Sequence, residues 1–203
     1  MASGPRVAAV VAGEDAALAA RADVAHLVGR ELPDIPLAAT TEPGEVSLRD
    51  LCRGVDRLVV YAYPAIGAPE RAPITPDWAS IPGAFGCTAE SCSFRDVNDD
   101  IRELGAGRCG LSTQSSAEQH EAAQRLSLNF PLLSDAEHKL TDQLGLPTWL
   151  AAGRHLLKRF TMVTNGTVVE HVFAPVSDPA AHAAEVAGWL GDNVLSGDRS
   201  GSE

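Results

Sequence analysis

Arg57-Leu58-Val59-Val60-Tyr61-Ala62-Tyr63 is a run of β-branched, aliphatic and aromatic residues with no polar alternation after its first member. A strand open to water on one face alternates apolar and polar side chains, so a continuous run predicts a strand covered on both faces. The segment after it, Pro64 to Pro82, holds prolines at 64, 69, 73, 76 and 82 and reads as loop. A loop of that length inside a compact domain lies beside a site or is mobile, and Trp78 is its candidate anchor. Cys87 to Leu104 then suits one helix, with Phe94, Val97, Ile101 and Leu104 on one face and Gly105 and Gly107 ending it.

The same reading extends to both ends. Arg108 to Ser112 is a short strand, Ser115 with Glu118 forms a capping box for a helix to about Leu126, and Asn129 to Leu133 is another strand. Ser134 with Glu137 reads as a second capping box, for a helix ending near Gly145. Leu156 to Thr164 and Thr167 to Phe173 flank Asn165-Gly166, a strong hairpin turn signal. Asp178 caps and Pro179 begins a last helix to about Leu190. Toward the N-terminus, Glu14 to Arg30 is helical, Leu32 to Thr41 is extended loop, and Ser47 starts one helical turn to Cys52. Strands alternating with helices, closed by a hairpin and a helix, predict an α/β fold with a mixed central sheet flanked by helices. Residues 1–31 form an N-terminal extension expected to be helical, 32–192 the domain, and 193–203 a Ser- and Gly-rich tail expected to be disordered.

Over 203 residues the chain is 45% hydrophobic and 21% charged, the composition of a globular protein. Its net charge of -11 repels nucleic acid and anionic membrane surfaces, so neither is an expected partner. The apolar run Val7 to Ala12 is too short for a signal-peptide core, and no later segment reaches about 18 uninterrupted apolar residues. A cytoplasmic location is expected, where the four cysteines (52, 87, 92 and 109) need not form structural disulfides.

Several motifs are explained without chemistry. Gly105, Gly107 and Gly110 spell G-x-G-x-x-G, but a helix precedes and a strand follows, the reverse of the order that presents amides to a pyrophosphate. The histidines at 26, 120, 138, 155, 171 and 182 have no i, i+4 pairing and no C-x-x-C companion, so no metal is expected. Cys87 differs. It follows Gly86 at a predicted helix start, where unpaired amides and the positive end of the dipole favour a thiolate. Cys92 lies five residues on. Either the two are a nucleophile and its partner, or both are small buried hydrophobes. Cys52 and Cys109 read as packing residues, with a role as alternative resolving thiols left open.

The segment Gly86-Cys87-Thr88-Ala89-Glu90-Ser91-Cys92-Ser93-Phe94-Arg95-Asp96 resembles the active-site segment of the peroxiredoxins, in particular the peroxiredoxin Q or bacterioferritin comigratory protein group. Leu111-Ser112-Thr113, Leu132-Leu133-Ser134-Asp135 and Lys158-Arg159-Phe160-Thr161 extend the resemblance over roughly Leu32 to Leu190. It implies a thioredoxin-like fold, Cys87 as peroxidatic cysteine, Cys92 as resolving cysteine, and Arg159 as the arginine holding thiolate and peroxide. It further implies a peroxidase of the atypical two-cysteine kind acting on hydrogen peroxide and organic hydroperoxides, recycled by thioredoxin or another dithiol. No cofactor is needed, and the chain would be a monomer or a homodimer. One departure stands out: Pro64 lies 23 residues before Cys87, and Ala84 occupies the place of the family threonine. Ser80, Thr88 or the backbone amides near Gly86 and Cys87 are the candidate replacements, with Glu90 a further supporting residue. The rival readings are a peroxide sensor or thiol-disulfide exchange protein, and a catalytically idle thioredoxin-like binding module.

Overall fold

The computed structural model describes residues 5–41 and 44–194, with side chains from residue 14 onward. β3 (Arg57–Ala62) is buried at every position, and the period of two divides its side chains between two cores. Leu58, Val60 and Ala62 join one cluster; Val59 and Tyr61 join the other. β3 runs parallel to β4 (Ala106–Ser112), which pairs in parallel with β5 (Leu132–Ser134). On its other side β3 pairs antiparallel with β8 (Phe160–Asn165), which turns at Gly166 into β9 (Val168–Phe173). β1 (Leu37–Ala39) and β2 (Glu45–Val46) extend the far edge, giving the seven-stranded order β2-β1-β5-β4-β3-β8-β9. This is the mixed sheet flanked by helices that the sequence predicts.

The first core is covered by α2 (Leu48–Leu51), α6 (Lys139–Leu144) and the end of α1 (Pro5–Ala25), whose Val24 is buried there with Leu27 just beyond. The second is covered by α3 (Cys87–Asp96), α4 (Asn98–Glu103), α5 (Ser116–Arg125) and α7 (His182–Asp192). There Tyr61 stacks on Phe94 with ring centroids 4.5 Å apart and donates to Ser91 Oγ at 3.0 Å. A ring buried with its hydroxyl satisfied supplies apolar area without an orphaned donor.

Several boundaries differ from the sequence reading. The helix expected over 87–104 breaks at Val97 (φ −94°, ψ 21°), and Asn98, Asp99 and Asp100 start a second one, acidic residues suiting a first turn. The Ser134/Glu137 capping box does not form. Ser134 ends β5 and donates to the Gln114 carbonyl at 2.6 Å, while the Asp135 carboxylate accepts from the amides of Leu140 at 3.1 Å and Thr141 at 2.7 Å. Asp178 caps only a turn, accepting from the amides of Ala180 and Ala181, and α7 starts at His182. The extended stretch at 32–41 contains β1, and the strand expected at 129–133 shifts to 132–134.

The strand expected over 156–164 is in fact two. Leu156 and Leu157 end β7 (Arg154–Leu157), which pairs with β6 (Thr148–Ala151) in a separate hairpin, turned by Ala152 and Gly153 at φ +48° and +76°. Lys158 and Arg159 link this hairpin to β8. The literal G-x-G-x-x-G is a packing device: a Cβ on Gly110 would meet Leu132 Cδ2 at 2.6 Å and the Tyr61 ring at 2.8 Å. The expected tail from 195 on lies outside the described residues. No helix among the described residues is long and apolar enough to cross a membrane.

Candidate active site

Cys87 is the first residue of α3, preceded by Gly86 at φ +103°. Glycine is required there twice over, because any Cβ would sit 2.7 Å from Pro179 Cγ and the backbone is left-handed. The sulfur is buried, with Cys87 2% exposed. Arg159, at the bend between β7 and β8, turns inward and donates from Nη2 to the Cys87 sulfur at 3.1 Å. The same nitrogen reaches the carbonyls of Phe85 at 3.0 Å and Gly83 at 3.3 Å, and Nη1 donates to Glu90 Oε2. Glu90 follows Cys87 by one helical turn, so the two face the same way and share one guanidinium.

The electrostatics oppose one another. Burial pushes the Cys87 thiol up, Arg159 pulls it down, the Glu90 carboxylate pushes it up again, and the Ala65 backbone amide pulls it down. The net direction is upward, against the expectation of a thiolate from the helix start alone. Desolvation of a sulfur closed off from water exceeds what the helix end and one shared cation return. In keeping with a protonated thiol, the sulfur lies 3.5 Å from the Ala84 carbonyl, to which it donates. Glu90 is fully buried, and burial lifts its carboxyl to about 7 against the pull of Arg159. Its Oε1 and the Arg159 Nε have no hydrogen-bond partner among the described residues.

Of the residues singled out from sequence, the structure brings together Cys87, Gly86, Glu90 and Arg159. Ser80 and Thr88 are exposed, and neither side chain is hydrogen-bonded to the sulfur, so neither stands in for the missing threonine. Cys92 is a half-buried free thiol further along α3. Cys52 and Cys109 are buried in the first core, and burial pushes both thiols up. Sequence reasoning missed Ala65, whose amide assists the sulfur, and the carbonyls of Gly83 and Phe85 that orient Arg159. Backbone groups carry no residue-type signature, so their only sequence signal was the prolonged proline-rich segment that ends beside Cys87.

Comparison with known proteins agrees with this geometry. A family profile described as Redoxin matches residues 27–187. A putative chloroplastic peroxiredoxin Q of Oryza sativa subsp. indica is 29% identical over 128 residues, 63% of this chain and 51% of the rice protein, so the match spans about half of that relative's length. Peroxiredoxin Bcp of Escherichia coli strain K12 is 26% identical over 142 residues, 68% of this chain and 80% of that one. The crystal structure of peroxidoxin BcpB from Mycobacterium tuberculosis superposes with a TM-score of 0.65 at 27% identity, covering 81% of this chain and 96% of that one. A match that begins just past α1 and ends within α7, on a fold like that of the peroxidoxin, has one reading: the chain belongs to the redoxin family, among relatives of the peroxiredoxin Q and Bcp type.

Proposed function

We propose that this protein is a thiol-dependent peroxidase in which Cys87 is the peroxidatic and Cys92 the resolving cysteine. The observation that carries the reading is the Arg159 guanidinium 3.1 Å from a sulfur at a helix start, held there by two backbone carbonyls and Glu90. A cation so placed stabilises the thiolate and the negative charge that develops on the leaving oxygen. Cys87 loses its proton, its sulfur attacks one peroxide oxygen, and the O–O bond breaks. The other oxygen leaves as alkoxide or hydroxide and takes up a proton, so thiol plus hydroperoxide gives sulfenic acid plus alcohol or water. The Cys92 thiol then displaces water from the sulfenic acid to form a disulfide, and an external dithiol such as thioredoxin reduces it by exchange.

Closure of that disulfide requires movement. Residues five apart on an α-helix have Cα atoms about 8–9 Å apart, whereas a disulfide needs about 4.4–6.8 Å. The first turns of α3 must therefore loosen after Cys87 is oxidised. A five-residue spacing also departs from the C-x-x-C of thiol-disulfide oxidoreductases. The test is stopped-flow peroxide consumption with thioredoxin, on the parent protein, Cys87→Ser and Cys92→Ser. The expected outcome is turnover by the parent, none by Cys87→Ser, and a dimedone-trapped sulfenic acid at Cys87 in Cys92→Ser. Undiminished turnover in Cys87→Ser overturns the mechanism; single oxidation without turnover in the parent favours a sensor, and an inert Cys87 a binding module.

A further inference from the structure

Arg159 has a second neighbour besides the sulfur. Its side chain and the adjoining Gly83 border a largely apolar cavity of about 450 Å³, walled by Ile81, Trp149, Val176 and, from α1, Ala17 and Ala20. That α1 wall lies outside residues 27–187, the stretch shared with the family. The helix is fixed in place by Val24 in the core, by Lys158 Nζ to Asp23 Oδ2 at 2.6 Å, and, just past its end, by His26 Nε2 with the Leu144 carbonyl at 3.0 Å.

The inward stripe of α1 runs Ala17, Ala20, Val24 and, two residues beyond the helix, Leu27, at helical spacing. Its character changes along its length. Val24 and Leu27 are large and wholly buried, but where the stripe passes the cavity it is alanine, while Leu18 on the same turn points outward and is 69% exposed. A helix placed only to pack would direct its leucine inward and fill the gap. We propose that the cavity holds the apolar tail of an organic hydroperoxide whose O–O group reaches Cys87 past Arg159, and that Ala17 and Ala20 of the N-terminal extension set which tails fit. This rests on the peroxidase reading above.

The lining also narrows the class. The ammonium of Lys158 at the rim is paired with Asp23, and the terminal nitrogens of Arg159 are engaged by Glu90, Gly83, Phe85 and Cys87. Among the described residues, both cations that border the cavity already face a carboxylate, Lys158 that of Asp23 and Arg159 that of Glu90, and the net charge of -11 further disfavours an anionic substrate. The expected substrate is uncharged with a compact aryl or branched alkyl tail, such as cumene hydroperoxide, in preference to a fatty-acid hydroperoxide.

Phenylalanine at position 20, or separately at position 17, fills the cavity from the α1 side. In the full chain, Ala20→Phe and Ala17→Phe should each lower the ratio of kcat/KM for cumene hydroperoxide to that for hydrogen peroxide by roughly tenfold or more. In the parent, kcat/KM for cumene hydroperoxide should exceed that for linoleic acid hydroperoxide. Independently of turnover, the product 2-phenylpropan-2-ol should perturb tryptophan fluorescence in the reduced parent through Trp149, and not in Ala20→Phe. Turnover of both peroxides with an unmoved ratio in two folded variants, or a preference for the fatty-acid hydroperoxide, overturns the tail assignment alone. Absence of turnover with either peroxide in the parent overturns the peroxidase reading and the tail assignment with it.

Discussion

Glu90 offers a quantitative test of how the site is coupled to α3. In the intact helix burial raises its carboxyl from 4.5 to about 7; once α3 loosens and the side chain reaches water, the ordinary value returns. The intact helix thus holds a proton more tightly than the loosened one. Its advantage is complete below about pH 4.5 and is lost as pH rises through about 7. The gap corresponds to about 3 kcal/mol. Glu90→Gln keeps the shape and an acceptor for Arg159 Nη1 but cannot titrate. Denaturant unfolding of the two proteins from pH 4.5 to 8 should therefore give stability curves that converge or cross, the parent losing about 3 kcal/mol relative to the variant. Hydrogen exchange of amides 88–94, compared between the two at each pH, should move in the same direction if the first turns of α3 open as a local unit. Parallel curves over the whole range would show that Glu90 is not held near neutrality by burial, and the reasoning would fall. If they converge or cross as expected, the loosening of α3 that the proposed Cys87–Cys92 disulfide requires is easiest above about pH 7, where Glu90 no longer gains from staying inside.

Two further substitutions test other parts of the site. Arg159→Ala removes a positive charge beside the buried sulfur; at about 4 Å in a protein-like dielectric the ceiling is about 4 kcal/mol, so the pH profile of iodoacetamide alkylation at Cys87 should move upward, and Arg159→Lys should restore only part of it, since one ammonium cannot reach Glu90, Gly83, Phe85 and the sulfur together. An unmoved profile in Arg159→Ala would remove the arginine from thiolate stabilisation. Gly86→Ala forces a Cβ against Pro179 at a left-handed position and should cost about 2–4 kcal/mol in thermal unfolding, whereas a change within about 0.5 kcal/mol, as at an ordinary surface site, would contradict the close packing of α3 on the 178–181 turn.

What could be read from sequence tracks how local the determining physics is. β3 announced itself because burial on both faces demands an unbroken apolar run, and the β8–β9 hairpin because Asn165-Gly166 satisfies a specific turn. The capping box read at Ser115 forms, and the turn started by Ser47 proves to carry one as well, since each is closed within four residues. The one read at Ser134 fails because tertiary structure claims that residue: parallel pairing with β4 holds it in the strand, and Asp135 inherits the amides at 140 and 141. The break between Leu157 and Phe160 was invisible for a related reason. Leu156 through Thr164 has continuous strand propensity, and only the pairing of β7 with β6 forces the bend that aims Arg159 inward.

The site itself divides along the same line. Its side chains were legible by type and by resemblance, yet their protonation was not, because it depends on how completely the surrounding chain excludes water. A helix start argues for a thiolate; a sulfur 2% exposed, sharing its cation with a buried carboxylate, argues the other way and prevails. Ala84 illustrates the point from the opposite side. Judged as a residue type it is a loss, since alanine cannot donate to sulfur or peroxide. In place, its carbonyl meets the Cys87 thiol, Ala65 at the start of the proline-rich segment supplies an amide, and Gly83 and Phe85 at its end grip Arg159. Trp78, midway, stacks on Trp149 with ring centroids 5.5 Å apart. The long segment therefore returns to the site at both ends and is pinned in its middle. Of these main-chain groups only the Ala65 amide donates toward the sulfur, as a threonine hydroxyl could; the carbonyls accept from the thiol and the arginine, and the positions of all of them depend on the whole loop and not on any one residue in it.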